Sequence, residues 1–444
     1  MSKTFRAWDV DQVWLLPPSV HDFVPAGHPA HLVRELVRTE LDLAAIVADY
    51  DEARGQPPYH PAMMVALLLY AYTQGLYASR RIAKACEERL DVMAVTGMQR
   101  PDFRTISDFR KRHLEALAGL FVQVLGLCRA AGLVKLGHVA LDGTKLAANA
   151  SKHKAMSYGR MARAEAELAA EVAAWLARAE REDAADDAEH GADRRGDELP
   201  DWVADKQARL ERIRAAKAAL EAEAKAEMPP PNAEPGPSSG MSDHGRPRRA
   251  PDGGPPERAQ RNFTDPDSRV LKTRDGFVQG YNGQLAVDTT HQIIVAQRLT
   301  TNGSDHHGLV PLLDAAAAAL GRKPRELSAD AGFCRETNLE VLATSGIRGY
   351  LAPGRGSHRS ADPSGRRQIK PGSRMAAMAA KLRRAGRRSR YRLRKQTVEP
   401  VIGQIKHARG FRQFLLRGFL KVAAEWALVC TAHNLTKLVT ARTA

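Results

Sequence analysis

Two short apolar runs, Val139-Ala140-Leu141 and Leu327-Ser328-Ala329, each stop at an aspartate with a glycine close behind: Asp142-Gly143 and Asp330-Ala331-Gly332. This is how a buried strand presents a carboxylate at its C-terminal edge. A third acid, Glu399 in KQTVEPVIGQIKH, opens a segment that reads as a helix, and Lys406 lies seven residues on, on the same face. Pro400 follows Glu399 directly, so the helix either starts there, with Glu399 as its N-cap, or is kinked. Acids converging at one sheet edge repel unless divalent cations neutralise them, and hard cations such as Mg²⁺ take oxygen ligands of this kind. Two such ions about 4 Å apart stabilise both the attacking and the leaving oxygen of a phosphoryl transfer. The pattern suits a chain that cuts or joins a phosphodiester.

The charge balance names a polyanionic partner. The net charge is +16 over 444 residues, and the excess is largely in 355–395, where fifteen Lys and Arg face one acid, Asp362. Placed just before Glu399, this run gives salt-dependent, sequence-blind affinity for DNA; a solubilising tail is the bland alternative. Cys86, Cys128, Cys334 and Cys430 form no C-x-x-C pair, which argues against a zinc site or disulfide framework and for a reducing cytoplasm. The longest apolar run, AMMVALLLYAY, is too short to span a bilayer, and the N-terminus has no apolar signal region, so no membrane association is expected.

Periodicity divides the chain into four parts. Residues 1–135 read as an all-α N-terminal domain, with Pro61 in the first turn of one helix and Ser79 capping the next. A capping-box-like Thr105/Asp108 pair heads TISDFRKRHLEALAGLFVQVLGLCRAAG, which carries Arg104, Arg110, Lys111 and Arg112 in its first two turns. A helix–turn–helix could lay Arg110, Lys111 and Arg112 in a major groove; equally, they could be the solvated face of a packed helix. Residues 155–227 predict an inserted antiparallel helical hairpin, with Leu168, Val172, Trp175, Leu210, Ile213 and Leu220 at helical spacing. Residues 228–260 read as a flexible Pro/Gly linker. Residues 136–154 and 261–442 carry the strands and the three acids; FVQGYNGQLAVD and QIIVAQRLT should pair antiparallel across the short turn TTH. The closing FLKVAAEWALVCTAHNLTKLV is read as amphipathic, with Val422, Trp426, Val429 and His433 on one face packed on the sheet.

The blocks VALDGTKLAANASKHKAMSY, NFTDPDSRVLKTRDGFVQGYNGQLAVD, LSADAGF and E-x6-K ending in RGFRQFLLRG together resemble transposases of bacterial insertion sequences of the DDE type; PYHPAMMVALLLYAYTQGLYASRRI looks like their helical N-terminal domain. The resemblance covers roughly residues 10–155 and 261–440. It implies an α/β fold, an RNase H-like catalytic core joined to the all-α N-terminal domain and the inserted hairpin. It also implies Asp142, Asp330 and Glu399 as catalytic and metal-binding acids for two Mg²⁺ or Mn²⁺ ions. Tyr391 and Arg394 resemble the Tyr and Arg that precede the Glu in such enzymes. Arg394 stands one residue farther off than usual, with Lys395 as competitor. Lys406 matches the following Lys. Thr144, Lys145, Arg409, Arg412 and Arg417 are further candidates for substrate contact. Asp288 reads as a turn-forming rival of the catalytic acids, and Glu425 is the fallback for Glu399, although it reads more readily as a surface acid. His306 and His307, after Asp305, are adjacent in sequence and read as structural rather than as a metal pair. The implied activity is binding of element ends, DNA cleavage and transfer of the 3′-hydroxyl end to target DNA by a homodimer, in the cytoplasm at the nucleoid, without a nucleotide cofactor. The alternatives are a metal-dependent nuclease of the same fold and a catalytically inactive DNA-binding repressor.

Overall fold

A computed structural model describes residues 19–50, 58–190, 201–226, 254–273, 276–353 and 369–443. Most of the 228–260 linker and residues 354–368 of the basic run lie outside the described residues. The chain is mixed α/β with a helical N-terminal region.

That region comprises α1 (Pro29–Thr39), α2 (Ala44–Val47), α3 (Pro61–Thr73), α4 (Ser79–Glu88), α5 (Leu90–Thr96), α6 (Phe103–Arg112) and α7 (Leu114–Ala130). Helix α3 is buried from Met64 to Tyr72, so its apolar run marks the centre of the bundle rather than one face. Pro61 does open it. Ser79, by contrast, caps nothing: Ala78 is the N-cap of α4, and the Ser79 hydroxyl accepts a bond from Arg110 at 3.3 Å. The long helix expected from Thr105 onward is two helices bent by 76° at His113. Asp102, not Thr105, caps the first, its Oδ1 accepting from the Arg104 and Thr105 amides at 2.7 and 3.1 Å. Among the described residues no single helix is long and apolar enough to cross a membrane.

The sheet runs β4 (Arg269–Thr273), β5 (Gly276–Asp288), β1 (His138–Ala147), β7 (Glu326–Ala329), β8 (Arg348–Leu351), with β6 (Ile294–Thr300) also on β5; a separate ribbon pairs β2 (Ala155–Ser157) with β3 (Gln260–Asn262). β1 is antiparallel to β5 and parallel to β7, which is parallel to β8. Pairing with β5 extends through Ala147↔Gly280, so β1 does not stop at Asp142 as its short apolar run suggested. Helices α10 (Leu309–Leu320), α11 (Glu336–Thr344), α12 (Arg374–Ala385) and α13 (Arg394–Gly403) connect and flank the later strands.

Helices α8 (Tyr158–His190) and α9 (Asp201–Ala226) lean on each other around Met161, Leu168, Leu210, Ile213 and Leu220, a core separate from the main one. The last helix, α14 (Phe419–Thr443), is not amphipathic: Ala424 to Leu435 are buried without a break. It lies between two layers, packing on α3 and α7 on one side and on β6 on the other. Asn434 locks it to the sheet, exchanging bonds of 2.8 Å with the backbone of Ile294. All four cysteines are buried.

Candidate active site

The parallel register of β1 and β7 ends at Leu141↔Ala329, so Asp142 and Asp330 are the next pair out on adjacent strands, whose spacing is about 4.8 Å. Asp330 leaves β7 to cap a short 3₁₀ turn, its Oδ1 accepting from the Gly332 amide at 2.9 Å. Asp142 sits mid-strand, its Oδ1 accepting from the Gly143 amide at 2.9 Å. Burial raises the Asp142 carboxyl to about 6; Arg394 opposes the rise and Asp330 adds to it. Asp330 is raised too, first by burial and then by the carboxylate of Asp305.

Glu399 is neither an N-cap nor the start of a helix. It lies in the middle of α13, which begins at Arg394 and carries Pro400 inside it. Proline cannot donate to the carbonyl four residues back. That carbonyl, Gln396 O, is instead taken by the Gln292 side chain at 2.9 Å, which lets the helix continue. The Glu399 side chain is 45% exposed and faces the other acids across Arg394. The Arg394 Nη2 donates to Asp142 Oδ2 at 2.8 Å and lies 3.7 Å from Glu399 Oε1. Tyr391 completes the arrangement: its hydroxyl accepts from Arg394 Nη1 at 3.4 Å and its ring lies under the guanidinium. Of the two cations weighed for this place, Arg394 turns inward and Lys395 is exposed.

After α13 the chain forms a π-helical turn, Gln404–Ala408. Lys406 therefore points at β1, its Nζ donating to Thr144 Oγ1 at 3.2 Å and to the Lys145 carbonyl at 3.0 Å. Thr144 is buried by this contact, and Lys145 is half-buried. Arg409 is drawn inward to His433, while Arg412 and Arg417 are exposed but bonded to the carbonyls of Lys406 and Asn149.

Several expected roles fail on burial. Arg110 is 4% exposed and acts as an internal strut, donating to Tyr72 Oη at 3.0 Å and the Tyr77 carbonyl at 2.9 Å. It faces no groove. Lys111 and Arg112 beside it are exposed, the first paired with Asp108 and the second lying over the Tyr50 ring. Glu425 is no surface acid: it is completely buried, accepts the Leu415 and Leu416 amides at 3.0 Å, and is pushed by burial up to about 7. Asp288 is the turn-former its position suggested, accepting from the Leu136 and Thr290 amides at 2.7 and 2.9 Å. His306 and His307 offer carbonyls to Asn338 and Arg298.

Asp305 is the residue that sequence reasoning passed over. It is 8% exposed, and its Oδ1 accepts from Asn282 Nδ2 at 2.8 Å and Gln284 Nε2 at 2.7 Å. Its carboxyl group lies against both glycines that follow the strand acids. A Cβ on Gly143 would collide with Asp305 Oδ1, and one on Gly332 would lie 3.2 Å from Asp305 Cβ and 3.0 Å from Asp330 Oδ1. The glycines thus make room for a neighbouring carboxylate.

The donor chemistry fits hard divalent cations: carboxylate oxygens only, two of them desolvated and partly neutralised by a single guanidinium. Among the described residues no three such side chains are gathered closely enough to hold an ion as they stand; Arg394 occupies the middle of the group.

A family model described as Transposase DDE domain matches residues 258–435, and one described as Transposase domain (DUF772) matches residues 18–112. No curated protein and no solved structure matches the chain.

Proposed function

The chain belongs to the DDE-type transposases of insertion elements, and on that premise we propose that Asp142, Asp330 and Glu399 are its catalytic acids, cleaving DNA at the element ends and joining the freed 3′-hydroxyl to target DNA. The observation that carries this is Arg394, one guanidinium joined to Asp142 at 2.8 Å and set 3.7 Å from Glu399, while Asp330 flanks Asp142 on the next strand. Acids far apart in sequence share one counter-cation. The strand order, with antiparallel β5 and parallel β7 on either side of β1, supports reading the core as RNase H-like.

Mg²⁺ or Mn²⁺ bound by Asp142, Asp330 and Glu399 would activate water or the 3′-hydroxyl and stabilise the leaving oxygen. The protein's own contribution is positional. Burial of Asp142 and Asp330 lowers the local dielectric and strengthens every charge contact made there. Lys406, held over β1 by Thr144 and Lys145, places a point charge two residues beyond Asp142, where it can meet a phosphate. Tyr391 orients the Arg394 fork for a phosphate once the acids release it. Lys111, Arg112, Lys395 and the helical N-terminal region supply DNA contacts away from the chemistry, and two copies of the chain process two element ends.

Asp142→Asn, Asp330→Asn and Glu399→Gln, each assayed on DNA carrying the element end, should lose cleavage by on the order of 10²-fold or more while end binding is kept. Retained cleavage in any one removes that residue from the set. A pre-cut end tested for joining separates a transposase from a nuclease: hydrolysis without a joined product would remove the transfer step.

A further inference from the structure

At the end of the sheet opposite the acids, β1, β7 and β8 start side by side, with His138, Glu326 and Arg348 in register. The short 3₁₀ turns at Gly386–Arg388 and Arg390–Leu393 fold over this edge and leave a cavity of about 810 Å³, open to solvent. Arg325, Arg348, Arg387, Arg388, Arg390 and Arg392 line it. Its one acid among the described residues is Glu326, which is 2% exposed and pins two of the six: Arg348 at 2.8 Å, and Arg390. His138 holds the same carboxylate from behind at 3.3 Å.

Arginines that serve only solubility spread over a surface. Here six of them converge on one concave wall against a single carboxylate, an arrangement that repels itself until an anion enters. Among the described lining residues there is no Phe, Tyr or Trp, and the one ring, the His138 imidazole, is buried and held by Glu326 and Ser328, so the wall offers a base or nucleoside little to stack on. Guanidinium forks without a stacking platform match phosphate oxygens.

The cavity also connects to the chemistry. Arg392 and Gln396 line it, and Arg394, between them in the chain, reaches Asp142. From His138 to Asp142 is four residues along β1, about 13 Å at strand rise, which corresponds to roughly four nucleotides at 3.4 Å each. Resting on the transposase reading above, we propose that this arginine cavity is a second DNA-phosphate site. It grips the backbone of the strand about four nucleotides from the phosphodiester at the acids, after that strand has crossed the first turn of α13.

The test uses the full chain and a 30-base-pair duplex of mixed sequence, with affinity measured by fluorescence anisotropy across a salt series. Arg387→Ala/Arg388→Ala/Arg392→Ala removes exposed charges and should leave the melting temperature unchanged. It should lower the slope of log K against log salt by about two to three, at roughly 0.9 per phosphate contact. The lysine triple at the same positions should restore most of the slope. Arg178→Ala/Arg181→Ala/Lys225→Ala, an equal loss of exposed charge on the inserted hairpin, should leave the slope near wild type. An unchanged slope in the cavity variant, or an equal fall in the hairpin variant, overturns the proposal while leaving DNA binding intact. Failure of the wild-type chain to bind the duplex would remove the transposase reading and this proposal together.

Discussion

Asp305 ties together four residues that sequence alone leaves separate: Gly143, Gly332, Asn282 and Gln284. Gly143 and Gly332 stand out in the sequence as glycines close behind the strand acids, but what lies against them does not. Asp305 lies in TNGSDHHG, a polar stretch with no period to reveal which way an acid points. Its two amide partners come from β5, about twenty residues upstream in the chain. Gly143→Ala should destabilise the fold by about 1–3 kcal/mol through overpacking. Adding Asp305→Ala should recover part of that loss, a coupling that a urea double-mutant cycle reads directly; strictly additive losses would mean the two residues do not touch. Glu425 was misread for a related reason. One acid in an apolar helix looks like its wet face, and only the second layer covering α14 makes it buried. Its folded-state carboxyl titrates near 7 against an ordinary 4.5, so the folded chain holds the proton more tightly than the unfolded chain. Stability is therefore fully present below about pH 4.5 and falls as pH rises to about 7, by about 3 kcal/mol from this group. Glu425→Gln should remove that fall: its stability relative to wild type should climb across the same window in chemical denaturation at several pH values.

Helix boundaries were less readable than helix positions, and the reasons are local. The bend at His113 splits a stretch whose apolar period looks continuous, and just before it Arg110 on α6 turns inward to Tyr72 and the Tyr77 carbonyl. Arg110→Ala should lower stability by about 1–3 kcal/mol, since it strands buried polar partners, and leave the salt slope of DNA binding in the folded protein unchanged. Lys111→Ala/Arg112→Ala should show the reverse weighting, a shallower slope with little loss of stability. A two-by-two comparison of melting and anisotropy data checks both. In α13 the sequence signal at Pro400 was correct in kind: a proline needs an explanation inside a helix. The explanation is Gln292, outside the helix, which no local pattern could supply. Gln292→Ala should orphan the Gln396 carbonyl and loosen α13. Activity should fall more steeply than stability, because Glu399 and Arg394 both ride on that helix.

At the scale of the molecule, the inserted hairpin and the main body are independent in their packing. The ribbon of β2 and β3 brings Ser157 and Gln260 opposite each other at the root of the insertion, and the hairpin's core does not merge with the main one. Replacing residues 158–259 with a two-residue turn should therefore leave the remaining chain folding cooperatively, within a few degrees of the wild-type melting temperature by circular dichroism. The sequence announced both helices of this hairpin and most of the strands, since each carries its own period. It was silent on how the helical region meets the sheet. That junction is α14, whose surface is shared by α3, α7 and β6. A ribosome that has not yet delivered residues 419–443 has made two half-covered layers with no common partner between them. Neither can settle until that helix has emerged, so a copy stopped before residue 419 should be a sticky, protease-sensitive fragment instead of a stable domain.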